Sequence, residues 1–356
     1  MSCLELVIVL TLGWHVALVH PSPEVRRTSQ LPKLSNLQVY NNTLYVGGLN
    51  RLYSFDEDLN TLQSVDTCTG QCSSNYNKVM LLNETGKELM VCGTGNGGIC
   101  ERRHLSDLSS IIFASDRSDS TDDVDKLCVG TDRNRPAVAM MWDKELFLMA
   151  VSYGENVSLM RTSTHHSYYA LTLRQVRFEV LHIGNWFPSR VMFELIYTRG
   201  SSLNDYVVYY KGAIQHQTYT YLLTNQKAYV GSDTFVSKVV RLCNFDPSLT
   251  SYVDMELACH VDGVKYNLIQ GSTITNLHDT DYLIASFAKS SNPEDVAGTG
   301  VLCAIPMAVI NSNLTQAKEE FVNGYSFKLS ERYLFINTIW EFVSTIELYL
   351  MSMVNM

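Results

Sequence analysis

Between about residue 37 and residue 310 the chain is cut into short strand-forming runs. They include NLQVY, TLYVGG, RLYSF, NKVMLL, ELMVCG, AVAMMW, ELFLMAVSY, FELIY, YVVYY, TYTYLL and YLIASF, several of them bounded by Asn, Asp, Gly or Ser. No long stretch of 3.6-residue apolar periodicity separates them. The 20 Tyr and 13 Phe, many beside Val, Ile and Thr, suit pleated, half-buried strands. Such a series folds as an all-β sandwich, barrel or propeller. The number of runs favours a propeller, because each blade uses four strands and a sandwich rarely needs so many. There is no exact internal repeat, so periodicity alone does not deliver the propeller.

At 356 residues and 46% hydrophobic, the chain can bury a large core as one large domain or two medium ones, which excludes disorder as its main state. The 27 Lys and Arg against 36 Asp and Glu give a formal charge of −9. That balance excludes the basic footprint on which nucleic-acid binding rests. Leu4 to Val19 form an apolar run ahead of His20 and Pro21. Its length fits a signal peptide, expected over residues 1–20, better than a buried strand or a membrane anchor. Cys3 would leave with that segment. Eight cysteines would then remain: Cys68, Cys72, Cys92, Cys100, Cys128, Cys243, Cys259 and Cys303. An even count behind an export signal points to disulfides, whereas in a cytosolic protein the same residues would read as buried thiols. Sequons at Asn41, Asn83, Asn156 and Asn313 become glycan sites in an exported chain.

Few motifs carry chemistry. Gly93-Thr94-Gly95-Asn96-Gly97-Gly98 has the dinucleotide-loop form and follows a strand-like run. Cys92 and Cys100 bracket it, and neither a helix nor βαβ order follows. A tight turn between strands, where glycine permits positive φ, is the expected role. Residues 115–126, SDRSDSTDDVDK, lack the spacing of a calcium loop and read as a solvated loop. His165 and His166 are adjacent and would point to opposite faces of a strand, so they do not converge on a metal. The pairs Cys68/Cys72 and Cys92/Cys100 could be forced into a zinc site, but disulfides explain them better in an exported chain. No nucleophile–base constellation or phosphate loop is present, so neither an enzyme nor a cofactor is expected. Residues 333–356 place Ile336, Trp340, Val343, Ile346 and Leu350 at helical spacing. Glu341 and Glu347 make this a poor membrane span, and an amphipathic helix seeking a partner is expected.

Three segments combine into a recognisable pattern. LYVGGLNRLYSFDEDL (Leu44–Leu59) resembles the opening strands of a sema domain. NKVMLLNETGKELMVCGTGNGGICERRHLSDLS (Asn77–Ser109) is similar to the plexin signature, and so is VVRLCNFDPSLTSYVDMELACHVDGVKYNLIQ (Val239–Gln270). The last of these joins Cys243 and Cys259 to Arg241, Asp246, Ser251 and Tyr252. LCAIPMAVIN (Leu302–Asn311) resembles that family's L-C-A-F-P strand.

The resemblance implies an all-β fold, a sema-type seven-bladed propeller of an A-like or B-like plexin. The chain would cover about five blades and end in a short apolar helix. It implies domains over 1–20 (signal), 30–320 (partial sema propeller) and 321–356 (non-family tail). It also implies the disulfides Cys68–Cys72, Cys92–Cys100 and Cys259–Cys303, with Cys128 and Cys243 unpaired. The expected function is ligand recognition in a semaphorin receptor, with semaphorin sema domains as partners, in axon guidance and cell-surface signalling. The ligand would dock loosely over residues 135–230, which contain Arg174, Arg177, Trp186 and Arg190. Alternatives are a secreted semaphorin-like ligand, a truncated decoy receptor or a secreted propeller hydrolase. The expected location is secreted or on the outer face of the plasma membrane, with membrane contact only through receptor segments this chain lacks. Self-association through open sheet edges is a further expectation.

Overall fold

Two-residue turns built from residues that tolerate positive φ set the hairpins. Asn41 and Asn42 have φ of 45° and 60°, the conformation a tight type I′ hairpin requires. His278 and Asp279 (49° and 61°) and the Asp262–Gly263 pair (51° and 76°) repeat the device. The computed structural model describes residues 31, 33–70, 72–114, 129–142, 146–152, 159–161, 168–170, 173–177, 182–183, 207–228, 232–244, 251–294, 296 and 298–322. The expected signal peptide, the 115–126 loop, His165, His166 and the 333–356 helix lie outside the described residues.

The strands form antiparallel meanders. The first sheet contains β1 (Asn36–Tyr40), β2 (Thr43–Gly47), β3 (Arg51–Phe55) and β4 (Thr61–Asp66) in that order. The second contains β5 (Asn77–Asn83), β6 (Glu88–Gly93), β7 (Cys100–His104) and β8 (Ile111–Ala114). The third orders β9 (Ala137–Met141), β10 (Leu146–Val151), β13 (Leu173–Arg177) and β14 (His182–Ile183), with a hairpin of β11 (Leu159–Arg161) and β12 (Tyr168–Ala170) inserted. The fourth contains β15 (Tyr209–His216), β16 (Tyr219–Lys227), β17 (Phe235–Cys243) and β18 (Val253–Leu257). A hairpin of β19 (Cys259–Val261) and β20 (Val264–Tyr266) leads to a three-stranded fifth sheet, β21 (Leu268–Leu277), β22 (Thr280–Ala288) and β23 (Gly300–Pro306).

The opening strands β1, β5, β9, β15 and β21 pack in series, each against the next. That is a propeller arrangement, sheets stacked face to face around their first strands. The described residues supply four complete four-stranded sheets and a fifth of three strands.

Strand alternation explains why the core is continuous. On β16, Leu222 points to the third sheet and packs with Trp142, Leu148 and Tyr210. Its neighbours Tyr221 and Leu223 point the other way, toward Ile269, Leu283 and Phe287 of the fifth sheet. Tyr45, Leu52, Met80 and Leu89 fill the space between the first two sheets, and Val79, Met90, Phe147 and Met149 the space between the second and third.

One element lies outside the sequence expectation. LCAIP falls within β23, as its likeness to the L-C-A-F-P strand implies, but β23 ends at Pro306 and an α-helix, α1 (Met307–Val322), begins at MAVIN. The period changes there. Leu302 is 71% exposed and the strand alternates, whereas Met307, Ile310 and Leu314 fall on one helical face and are buried against the fourth and fifth sheets. Among the described residues no helix is long and apolar enough to cross a membrane.

Candidate functional site

The glycine loop is filled by protein. A Cβ at Gly93 would sit 1.9 Å from Asn75 Oδ1, and one at Gly98, where φ is +86°, 2.7 Å from the Gly130 nitrogen. Asn75 joins the pieces. Its backbone N–H donates to Asn50 Oδ1 (2.6 Å), its Nδ2 to the Thr67 carbonyl (2.9 Å), and its Oδ1 accepts from Gly95 N–H (2.9 Å). Gly98 O accepts from Val129 N–H at 2.8 Å. The adjoining cavity is about 20 Å³, room for one water and far below a nucleotide. Strand β7 follows the loop, so no long helix aims its N-terminus at a phosphate.

Among the described residues three disulfides are formed. Cys68 pairs with Cys72, Cys259 with Cys303, and Cys92 with Cys100 across directly opposed positions of β6 and β7. Cys243, at the end of β17, is an exposed free thiol.

The linker at 129–136 builds one rim of the molecule. Lys78 Nζ donates to the carbonyls of Val129 and Asp132, holding the linker to β5. Arg133 and Lys33 flank Tyr76, lying 5.5 and 5.6 Å from its ring centre, and both donate to its hydroxyl. Those donations, Arg133 first, hold the phenol below its ordinary pKa. Arg135 pairs with Glu294 (2.7 Å), lies over the Tyr209 ring and donates to its hydroxyl, which in turn donates to Glu294 (2.7 Å). Burial, followed by the bond to Glu294, raises the Tyr209 phenol well above its ordinary value despite Arg135. This triad fastens the third, fourth and fifth sheets together near their first strands.

At the opposite end of the fourth sheet, α1 leaves an open cleft of about 420 Å³ lined by Tyr219, Arg241, Asn311, Thr315, Gln316 and Glu319. Arg241 Nη1 donates to the backbone carbonyl (3.1 Å) and Oδ1 (3.0 Å) of Asn311, and Nη2 to Thr315 Oγ1 (3.1 Å). Its guanidinium carbon lies 4.7 Å from the Tyr219 ring centre. Nearby, His216 Nε2 meets Asp281 at 2.9 Å. Hydrogen bonds from Asn276 first and His216 second hold the Asp281 carboxyl below its usual range.

The structure distributes the sequence-singled residues widely. Arg174 and Arg177 lie on β13, opposite Met149 and Leu146 of β10. Trp186, Arg190, Asn156 and Cys128 lie outside the described residues. Asn41 sits in the β1–β2 turn and Asn313 on α1, both exposed, while Asn83 is half-buried at the end of β5. Sequence reading gave no role to Tyr76, Arg133, Arg135, Tyr209, Glu294 or Asn311. They come from separate loops and strands, and no local spacing brings them together.

No protein-family model matches the chain. It is 25% identical over 301 residues to Plexin A3 of Danio rerio, covering 74% of this chain and 15% of that protein. It is 25% identical over 295 residues to Plexin-B3 of Mus musculus, covering 77% and 14%. The chain therefore spans a small part of these relatives' length. Among solved structures, the extracellular region of Plexin A4 superposes with a TM-score of 0.61 at 20% identity, over 80% of this chain and 35% of that one. The chain is thus similar to plexins in sequence, and it shares the fold of a plexin extracellular region. Drosophila Semaphorin 1a, extracellular domains 1–2, shares the fold with a TM-score of 0.53 at 16% identity, over 80% and 55%. The series of meander sheets thus shares the propeller fold of these sema-domain structures.

Proposed function

We propose that this chain is an extracellular ligand-recognition sema domain of a plexin-like semaphorin receptor, with semaphorin sema domains as its partners. The observation that carries this reading is the series of meander sheets packed through their first strands, together with plexin relatives along three quarters of the chain. Three disulfides and the exposed sequons at Asn41 and Asn313 support an extracellular setting. The docking surface is assigned to the third and fourth sheets, within residues 135–230, where β13 carries Arg174 and Arg177. A rigid propeller offers such a surface without a catalytic constellation, since its sheet edges and loops hold side chains in fixed register.

The fold similarity to Semaphorin 1a favours one second reading, a secreted semaphorin-like ligand. Biolayer interferometry on the secreted chain separates the two. Saturable binding to a semaphorin ectodomain, weakened about tenfold by Arg174→Glu with Arg177→Glu, supports the receptor reading. Binding to a plexin ectodomain instead supports the ligand reading, and binding to neither overturns both.

A further inference from the structure

We infer that the cleft between the end of the fourth sheet and α1 is a binding site for a carboxylate, presented by an acidic residue of a peptide segment. This rests on the cleft itself and not on the semaphorin reading.

Arg241 is 7% exposed, yet none of its recorded partners is charged. Its three acceptors are an amide carbonyl, a side-chain amide and a hydroxyl, and an aromatic ring covers one side. No carboxylate lies within ion-pairing distance of it among the described residues. Elsewhere the same fold neutralises such groups. Arg102 and Arg103, 8% and 4% exposed, each meet a glutamate. A guanidinium keeps its charge at any physiological pH and carries five N–H donors. Two bonds leave Nη1 and one leaves Nη2, so the remaining donors sit on the adjacent nitrogens Nε and Nη2. Neighbouring N–H groups of one planar fork match the two oxygens of a carboxylate.

The walls select within anions. The cleft holds about 420 Å³, enough for an acidic side chain with its flanking amides. Gln316 and Ser312 add neutral hydrogen-bonding groups, and Glu319 adds a negative charge on the rim. One cation facing one rim carboxylate suits a monoanion and disfavours a dianion such as sulfate. Glu319 also offers an acceptor to a peptide N–H. Tyr219 and Asn311 fix the guanidinium in place, so little side-chain freedom is lost on binding.

The test uses the full chain and isothermal titration with N-acetyl-glutamate methylamide, its neutral glutamine counterpart and sodium sulfate. The capped glutamate is expected to saturate, and the glutamine and sulfate probes to bind about tenfold more weakly or worse. Gln316 and Glu319 are exposed, so substitutions there leave the fold intact. Gln316→Glu is expected to weaken the capped glutamate about tenfold by like-charge repulsion, and Glu319→Gln to tighten it. The assignment is overturned by an absence of saturation up to about 50 mM. Equal affinity for the neutral probe, sulfate binding as tightly as the glutamate, or no response to Gln316→Glu would overturn it equally.

Discussion

In the second sheet Arg102 grips Glu88 through Nε (2.9 Å) and Nη2 (2.7 Å), and Arg103 grips Glu101 while donating to the Leu108 carbonyl. In the fourth sheet Arg241 is equally buried but meets only neutral oxygens and a tyrosine ring. Both strands bury arginine, CERRH beside a glutamate of its own and FVSKVVRLC among apolar residues. The surroundings differ. The second sheet closes its charges internally, so those arginines are part of the fold's stability. The fourth sheet leaves a net positive group on the wall of an open cleft, where removing it strands no buried counter-charge. Burial alone therefore does not assign a role to an arginine; the identity of its acceptors does.

Mutations sharpen that contrast. Arg102→Ala has the largest expected effect, about 3 kcal/mol of destabilisation, because it leaves the mostly buried Glu88 carboxylate without its partner. Chemical denaturation measures it, and the double change Arg102→Met with Glu88→Leu should recover most of the loss. Gly93→Ala is expected to destabilise by about 2 kcal/mol, since the new methyl meets Asn75 Oδ1 at 1.9 Å. A double-mutant cycle with Asn75→Ala should be non-additive, because that change removes both the clash and the bonds it displaces. Arg241→Met should lose only about 1 kcal/mol, the scale of a few hydrogen bonds exchanged with water at a cleft open to solvent. A loss equal to that of Arg102→Ala would break the comparison.

The smallest effect is on pH dependence. Asp281 titrates below the ordinary 3.8 in the folded state. Its stabilising contribution is complete above that value and is lost as the pH falls through the lower folded pKa. Asp281→Asn should flatten the acid side of the stability profile by lowering the neutral plateau slightly toward the acid value.

Inner and middle strands were legible in the sequence because their residues are apolar and their turns carry Asn, Asp and Gly. NLQVY, RLYSF and ELMVCG coincide with β1, β3 and β6. Outer strands were not. β4, TLQSVD, is largely exposed, and β7, CERRH, hides its arginines in ion pairs that only the folded sheet reveals. The start of α1 is hidden in the sequence because it follows the strand LCAIP without a break, the period changing at Met307. The cleft could not be read locally. Arg241 stood in the quoted motif, but Asn311 and Thr315 lie about seventy residues further on, on a helix the sequence did not announce. The rim triad Arg135, Tyr209 and Glu294 is dispersed in the same way, across three sheets.

The central claim, that the third and fourth sheets recognise a semaphorin, is tested most directly by hydrogen–deuterium exchange on the secreted chain, alone and with a semaphorin ectodomain. Protection concentrated in peptides from residues 135–230, with the first sheet (residues 36–66) unchanged, is the predicted result. Protection confined to the first sheet, or no protection despite measurable binding, would contradict it.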